Sequence, residues 1–137
     1  MKPIKKVYGY VTRNRNGKTQ VLVFQHSIPE AGIQIPKGTV KSYEDTYIAL
    51  VREIKEETGL KDFKVEKLIA QDWWESEDGT LHNRFFYEIK VSNVPDKWEH
   101  KPTGGGDEEG LRFYPPLTGS NTPTSRFREK LRKISGG

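Results

Sequence analysis

Apolar and polar positions alternate through VYGYVT (Val7–Thr12) and TQVLVFQ (Thr19–Gln25), and this period of two in β-branched and aromatic residues predicts two strands. Between them lies RNRNGK, where Asn16 and Gly17 both tolerate a positive φ and so predict a tight hairpin turn. A short apolar stretch, Ile33–Pro36, then leads to Gly38. Beyond it the period changes. Tyr47, Ile48, Val51 and Ile54 recur at helical spacing, which predicts a helix over Tyr43–Thr58 with those residues as its apolar stripe. Ser42 is the expected N-cap, with Asp45 completing an imperfect capping box, and Thr58-Gly59-Leu60 is the expected stop. Alternation resumes in Phe63–Ser76 and Thr80–Ser92, two strands joined by a turn at Glu77-Asp78-Gly79. The stretch VPDKWEHKPTGGGDEEG, residues 94–110, reads as a polar loop, and Leu111–Tyr114 as a short strand. Thr122-Pro123 supplies an N-cap and first turn for a closing helix that ends near Lys133. Strands, helix, strands, helix imply a mixed α/β domain with helices packed on a sheet.

Composition narrows this picture. A length of 137 residues fits one domain, taken to span residues 1–137. The 33% hydrophobic and 31% charged shares imply a highly solvated surface, while the 11% aromatic share argues against a disordered chain. No apolar run approaches the roughly 20 residues that span a bilayer, so no membrane partner is expected. The start MKPIKKVYGYV lacks the apolar centre of a secretory signal, and the expected location is the cytoplasm. The absence of cysteine excludes disulfide and thiolate chemistry. The net charge of +4 is mild, and its clusters (Lys2, Lys5 and Lys6; Arg13 and Arg15; Arg126 to Lys133) read first as solubilising surface. A nucleic-acid patch is the second reading of those clusters, with no RNA-binding signature to favour it.

The densest chemistry lies in REIKEETGL. Glu53, Glu56 and Glu57 stand at i, i+3 and i+4, so they share a quadrant of the helix, expected opposite the apolar stripe. Each like-charge pair at such spacing costs about 0.2–0.5 kcal/mol on an isolated helix. The cluster is therefore either a solvated face, with Arg52 pairing Glu56, or a site for a hard divalent cation. Mg²⁺ suits the second reading, because it takes oxygen ligands and binds through a few carboxylates together with substrate phosphates.

The longer pattern is Gly38, five residues, Glu44, seven residues, and then Arg52-Glu53-Ile54-Lys55-Glu56-Glu57-Thr58-Gly59-Leu60. It resembles the Nudix box, with every specified position filled by the expected residue type, and the order of strands and helices around it is similar as well. The resemblance implies an α/β/α sandwich on a mixed sheet, with a loop–helix–loop box. It also implies hydrolysis, with Mg²⁺ or Mn²⁺, of the pyrophosphate in a nucleoside diphosphate linked to another group. Carried onto this chain, it makes Glu53, Glu56 and Glu57 metal ligands, one of them activating the water, and Gly38 a carbonyl ligand. Arg52 would orient the glutamates and Glu44 would hold Arg52. The alternatives within the same resemblance are action on RNA 5′ ends and a non-catalytic nucleotide-binding domain; the latter usually lacks box glutamates, which are all present here.

Specificity is expected outside the carboxylates. Pro36-Lys37-Gly38 is similar to the box entrance of dinucleoside polyphosphate hydrolases, so Lys37 is either a phosphate contact or a surface lysine. The small-molecule partner expected is a nucleoside polyphosphate. Trp73 and Trp74 should point to opposite faces of their strand, one into the core and one free to stack on a base. Trp74 and Tyr87 are the substrate-binding candidates, with Trp98 a further aromatic; His26, His82 and His100 are given no role. Family members often add a carboxylate from a loop, and Glu109, with Glu108 second, best matches that place.

Overall fold

The computed structural model describes residues 2–24, 34–102 and 109–114. The expected closing helix, Glu108 and His26 lie outside the described residues. Those described form one mixed sheet of seven strands and one helix. The strands are β1 (Ile4–Arg15), β2 (Lys18–Phe24), β3 (Lys37–Thr39), β4 (Lys64–Glu75), β5 (Leu81–Lys90), β6 (Lys97–His100) and β7 (Glu109–Tyr114), and the helix α1 (Thr46–Thr58) follows β3. Their order is β4-β5-β1-β2-β7-β6, with β3 also paired to β1. Only β1 and β5 run parallel; every other pairing is antiparallel.

The alternation read in the sequence produces two cores, one on each face of this sheet. Val7, Val11, Leu22, Ile89 and Leu111 face the helix and pack with Ala49, Leu50 and Ile54. Tyr8, Tyr10, Val21, Val23, Ile35 and Phe86 form the core of the opposite face. Leu50 and Ile54 are fully buried, each contributing about 1.5–3 kcal/mol of transfer free energy. The hairpin turn stands where expected, with Asn16 and Gly17 both at positive φ.

β1 is long enough to change partner along one edge. Arg15 to Thr12 pair with β2, and Tyr8 to Lys6 pair with β3. Bonds from Gly9 N to Pro36 O and from Val40 N to Lys5 O, both 2.9 Å, extend the second pairing. Lys37–Thr39 is too short to show a period of two, and so only its preceding apolar stretch is visible in the sequence.

Three expectations need correction. The helix starts at Thr46, not Tyr43, because Asp45 is the N-cap: its Oδ1 accepts from Ile48 N at 2.8 Å. The apolar stripe is out of phase, with Tyr47 and Ile48 more than half exposed. The inward face is Ala49, Leu50, Ile54 and Thr58 together with Glu53, which is only 9% exposed. The helix thus sets a carboxylate against the sheet, and the glutamates are not opposite the core. Finally, the stretch read as a polar loop contains β6, whose pairing with β7 is carried by backbone bonds that polar side chains do not reveal.

Candidate functional site

The helix meets β3 where the sheet has no side chain. A Cβ built on Gly38 would lie 1.9 Å from Glu53 Cδ and 2.3 Å from each of its carboxylate oxygens. Only glycine leaves that space, so residue 38 defines the seat of the Glu53 carboxylate. Burial raises the Glu53 pKa above its ordinary value, and the hydrogen bond from Arg52 works against that rise.

Arg52 organises the other acids. Its Nε and Nη2 donate to the two oxygens of Glu44 at 2.6 and 2.8 Å, a bidentate pair. Nη1 donates to Glu53 at 2.7 Å and Glu56 at 3.3 Å, and Nη2 also reaches Thr39 O at 3.1 Å. One guanidinium therefore joins the strand, the box loop and two helical carboxylates. The hydrogen bond from Arg52 lowers the Glu44 carboxyl to about 2, and Arg52 itself is held more firmly protonated by Glu44. Glu44 also accepts from Lys41 N at 2.9 Å, which fixes the loop before the helix.

The other end of the helix is held by β6. Gly59 takes the left-handed conformation, φ 78°, and its N–H bonds Lys55 O. Trp98 Nε1 donates to Thr58 O at 2.8 Å, and the His100 ring bonds Glu56 O at 2.9 Å. Thr58 is wholly buried; its hydroxyl donates to Ile54 O and accepts from Leu60 N. His100, given no role from sequence, holds the turn that carries Glu56 and Glu57. Its register partner is Glu109, so the backbone of that candidate begins β7 beside the strand clamping the helix.

Among the described residues no group of three or more histidines, aspartates or glutamates stands at metal-binding spacing. Arg52 bridges Glu53 and Glu56 instead. The donor chemistry nevertheless fits a hard cation: the candidate ligands are all oxygen, and one buried carboxylate rests on glycine backbone. A cleft of 590 Å³ bordered by Arg13, Phe63, Glu66, Glu88 and Lys90 includes no box residue.

The other candidates divide between the two faces of the sheet. Tyr87 belongs to the helix side, where its hydroxyl bonds Thr46 Oγ1 at 2.6 Å and its ring packs on the core. Lys37 is the register partner of Tyr8 and shares the opposite face. Desolvation and then Lys6 lower the Lys37 pKa. Trp74 is half-buried beside His82, with the Arg84 guanidinium 5.4 Å from its ring centre. Neither tryptophan is a core residue, since Trp73 is 56% exposed.

Arg13, read from the sequence as solubilising surface, is buried, and so is Arg84, which the sequence did not single out. Arg13 is bonded to Gln20, Val94 O, Pro95 O and Asp96, and lies 4.0 Å over the Phe113 ring. Arg84 is held by both oxygens of Asp72 at 2.6 and 2.5 Å. The signal for Arg84 is its register opposite Asp72, which needs the strand pairing to be known.

The Arg52–Glu44 pair and the glycine-ended helix match the box pattern, while the Glu53 seat is added by the structure. The family model described as NUDIX domain matches residues 4–131, and the chain belongs to the Nudix family. It is a Nudix pyrophosphohydrolase, of a family whose members generally use divalent metals. No curated protein matches it. Among solved structures it is similar to the Ap4A hydrolase of C. elegans: 20% identity, 98% of this chain and 97% of that one covered, TM-score 0.62. A UDP-X diphosphatase is 20% identical, with 98% and 62% covered and a TM-score of 0.58. The Nudix domain of Shewanella oneidensis NrtR, complexed with ADP ribose, is 13% identical, with 98% and 86% covered and a TM-score of 0.59. At these identities the likeness is one of fold.

Proposed function

We propose that this chain hydrolyses a pyrophosphate bond in nucleoside or dinucleoside polyphosphates, with Mg²⁺ held by Glu53, Glu56, Glu57 and the Gly38 carbonyl. The observation that carries the reading is the Glu53 carboxylate seated in the space left by Gly38 and joined through Arg52 to Glu56. When bound, Mg²⁺ or Mn²⁺ supplies charge neutralisation of the phosphates and a more acidic water. Arg52 aims the carboxylates and Glu44 holds Arg52. Glu57, one residue on from Glu56, completes the ligand set, and one of the three glutamates accepts the proton of the attacking water. Glu109 adds a carboxylate from the start of β7, and Trp74 offers a ring to the base. Tyr87 supports the helix from below through Thr46, which makes its contribution one of position.

Lys37, next to Gly38 in sequence with its side chain on the opposite face of β3, favours substrates with several linked phosphates over sugar nucleotides. The C. elegans Ap4A hydrolase, similar over nearly its whole length, is consistent with that choice. The test is a panel of dinucleoside polyphosphates, nucleoside triphosphates, ADP-ribose and UDP-sugars with Mg²⁺ and Mn²⁺, products being identified. Glu56→Gln should lower turnover by orders of magnitude and weaken Mn²⁺ binding, with little change in melting temperature. A fully active Glu56→Gln variant refutes the ligand assignment, and ADP-ribose as the best substrate refutes the polyphosphate preference.

A further inference from the structure

The large hydrophobic side chains that the fold leaves in water are gathered on one side. Among the described residues they are Tyr43, Tyr47, Ile48, Leu68, Trp73 and Leu81. Leu68 and Trp73 pair in register with Tyr87 and Asn83, and Leu81 shares the parity of Phe85 and Tyr87, which pack on the helix-side core. All three therefore point to the helix side of the sheet. Tyr47 and Ile48 open the helix itself, and Tyr43 belongs to the loop that Glu44 ties to Arg52. Thr46 joins the two groups, because it is bonded to Tyr87, the register partner of Leu68. The reverse face carries no exposed large hydrophobic residue among those described.

The same side of the molecule ends in an open strand. β4 is outermost at its end of the sheet, 12 residues long, and its outer edge has no ladder partner among the described residues. Such an edge is a template for another strand. Register shifts at Val65/Lys67 and Leu68/Ala70 disrupt its first half, whereas Ala70–Glu75 pairs with β5 without interruption. The charges along the strand are ordered. Lys64 and Lys67 flank a single acid, Glu66, at one end, while Glu75 and then Glu77 stand at the other.

We infer that this face and edge bind a second copy of the chain, with β4 antiparallel to its counterpart about a two-fold axis near Trp73. The charge order selects that arrangement. Antiparallel pairing turns Lys67 of each copy towards Glu75 and Glu77 of the other, whereas parallel pairing sets like charges side by side. It is also its own complement, so two copies use up both β4 edges and the contact closes. Trp73 is the central helix-side residue of the uninterrupted run, between Gln71 and Glu75, and so lies opposite its counterpart on the axis. The apolar faces of the two β4–β5 hairpins then become one surface. Since an aromatic side chain holds about 150–250 Å², six groups near half exposure leave roughly 500 Å² of apolar surface on each copy. With the edge backbone added, this approaches the about 800 Å² per partner of a standard interface. β3 and Gly38 lie beyond β5 and β1 from this edge, so the pairing does not cover them.

The test is the mass of the full chain in solution and its dependence on this edge. Light scattering and sedimentation of the wild type from about 1 to 100 µM should show association to twice 15.8 kDa. The melting temperature should rise with concentration over the same range. Trp73→Lys and Leu68→Lys should each weaken the dimer by about tenfold or more, Tyr47→Ser by less, and Lys97→Gln, on the opposite edge strand, not at all. Because the chain has no cysteine, a single introduced thiol gives an independent measurement. Trp73→Cys should cross-link to its counterpart on oxidation, since directly opposed strand residues hold their Cβ atoms about 4.5–5.5 Å apart, and Lys97→Cys should not. A wild type still monomeric at about 100 µM overturns the proposal in favour of an unlike partner. A dimer that withstands both lysine variants, or that cross-links equally through Lys97→Cys, overturns its placement on β4. Should Trp73→Lys fail to fold, Leu68→Lys and the Trp73→Cys cross-link decide.

Discussion

Gly38→Ala isolates what the seat of Glu53 does. The backbone accepts alanine, because φ at this position is not among the positive values found at Gly17, Gly59 and Gly79. Restricting the unfolded chain would by itself stabilise the fold by about 0.4–1 kcal/mol. The methyl group has no room, however, lying 1.9 Å from Glu53 Cδ and 2.3 Å from both oxygens. Carbon atoms in contact sit about 3.5–4.0 Å apart, so the carboxylate must retreat by roughly 1.5–2 Å. Glu53 can do this by changing rotamer, at the expense of its 2.7 Å bond to Arg52. A charge-assisted bond of that kind is worth about 1.5–3 kcal/mol. The net destabilisation is then about 1–2 kcal/mol, and the melting temperature should fall by about 3–8 °C. Catalysis should suffer far more, since a reacting group misplaced by about 1 Å can lose a factor of about 100. Thermal melts, Mn²⁺ titration and steady-state turnover on a dinucleoside tetraphosphate measure the three effects together. A Gly38→Ala protein with wild-type kcat/KM would show that the Glu53 seat has no part in the reaction.

Other perturbations test the supports of the helix. Gly59→Ala places a methyl group at φ 78° and 2.7 Å from His100 Nδ1, so it should cost about 1–2 kcal/mol in chemical denaturation, less in a His100→Ala background. A cost unchanged by His100→Ala would rule out the clash. Thr58→Val keeps the shape but leaves Ile54 O and Leu60 N without their hydroxyl partner, and should cost about 1–3 kcal/mol by the same measurement. A neutral Thr58→Val would mean those groups find other partners. Glu44, lowered to about 2 by Arg52, binds fewer protons when folded than unfolded, so its stabilisation is full above its ordinary pKa of 4.5 and fades as pH falls towards 2. Melting temperatures of wild type and Glu44→Gln should therefore differ at pH 7 and converge across that window; a difference independent of pH would assign the effect to packing.

The parts of the structure legible in the sequence are those whose signal is local. Asn16-Gly17 fixes a turn through its own backbone preferences, and Gly59 ends the helix in the same way. The carboxylate spacing and Gly38 are legible as a pattern, and the structure adds why the glycine is there. What was misread depends on distant partners. The helix is rotated so that Glu53 meets β3, and Tyr47 and Ile48 consequently face outward in spite of their apolar character. β6 carries one large apolar residue, Trp98, among Lys97, Glu99 and His100, so its strand character comes from β7 alone. Arg84 looks like any surface arginine until β4 brings Asp72 opposite it.

The bond from Phe24 N to Gln34 O, 3.0 Å, closes the backbone across the interval between the end of β2 and the approach to the box. Pro36 and Lys37 are then tied to β1 independently of whatever lies between residues 24 and 34. The two flanks of that interval are clamped by backbone bonds alone. A change between those two points is therefore not passed through the backbone to the carboxylates, because the segment that carries Gly38 is tied to β1 itself.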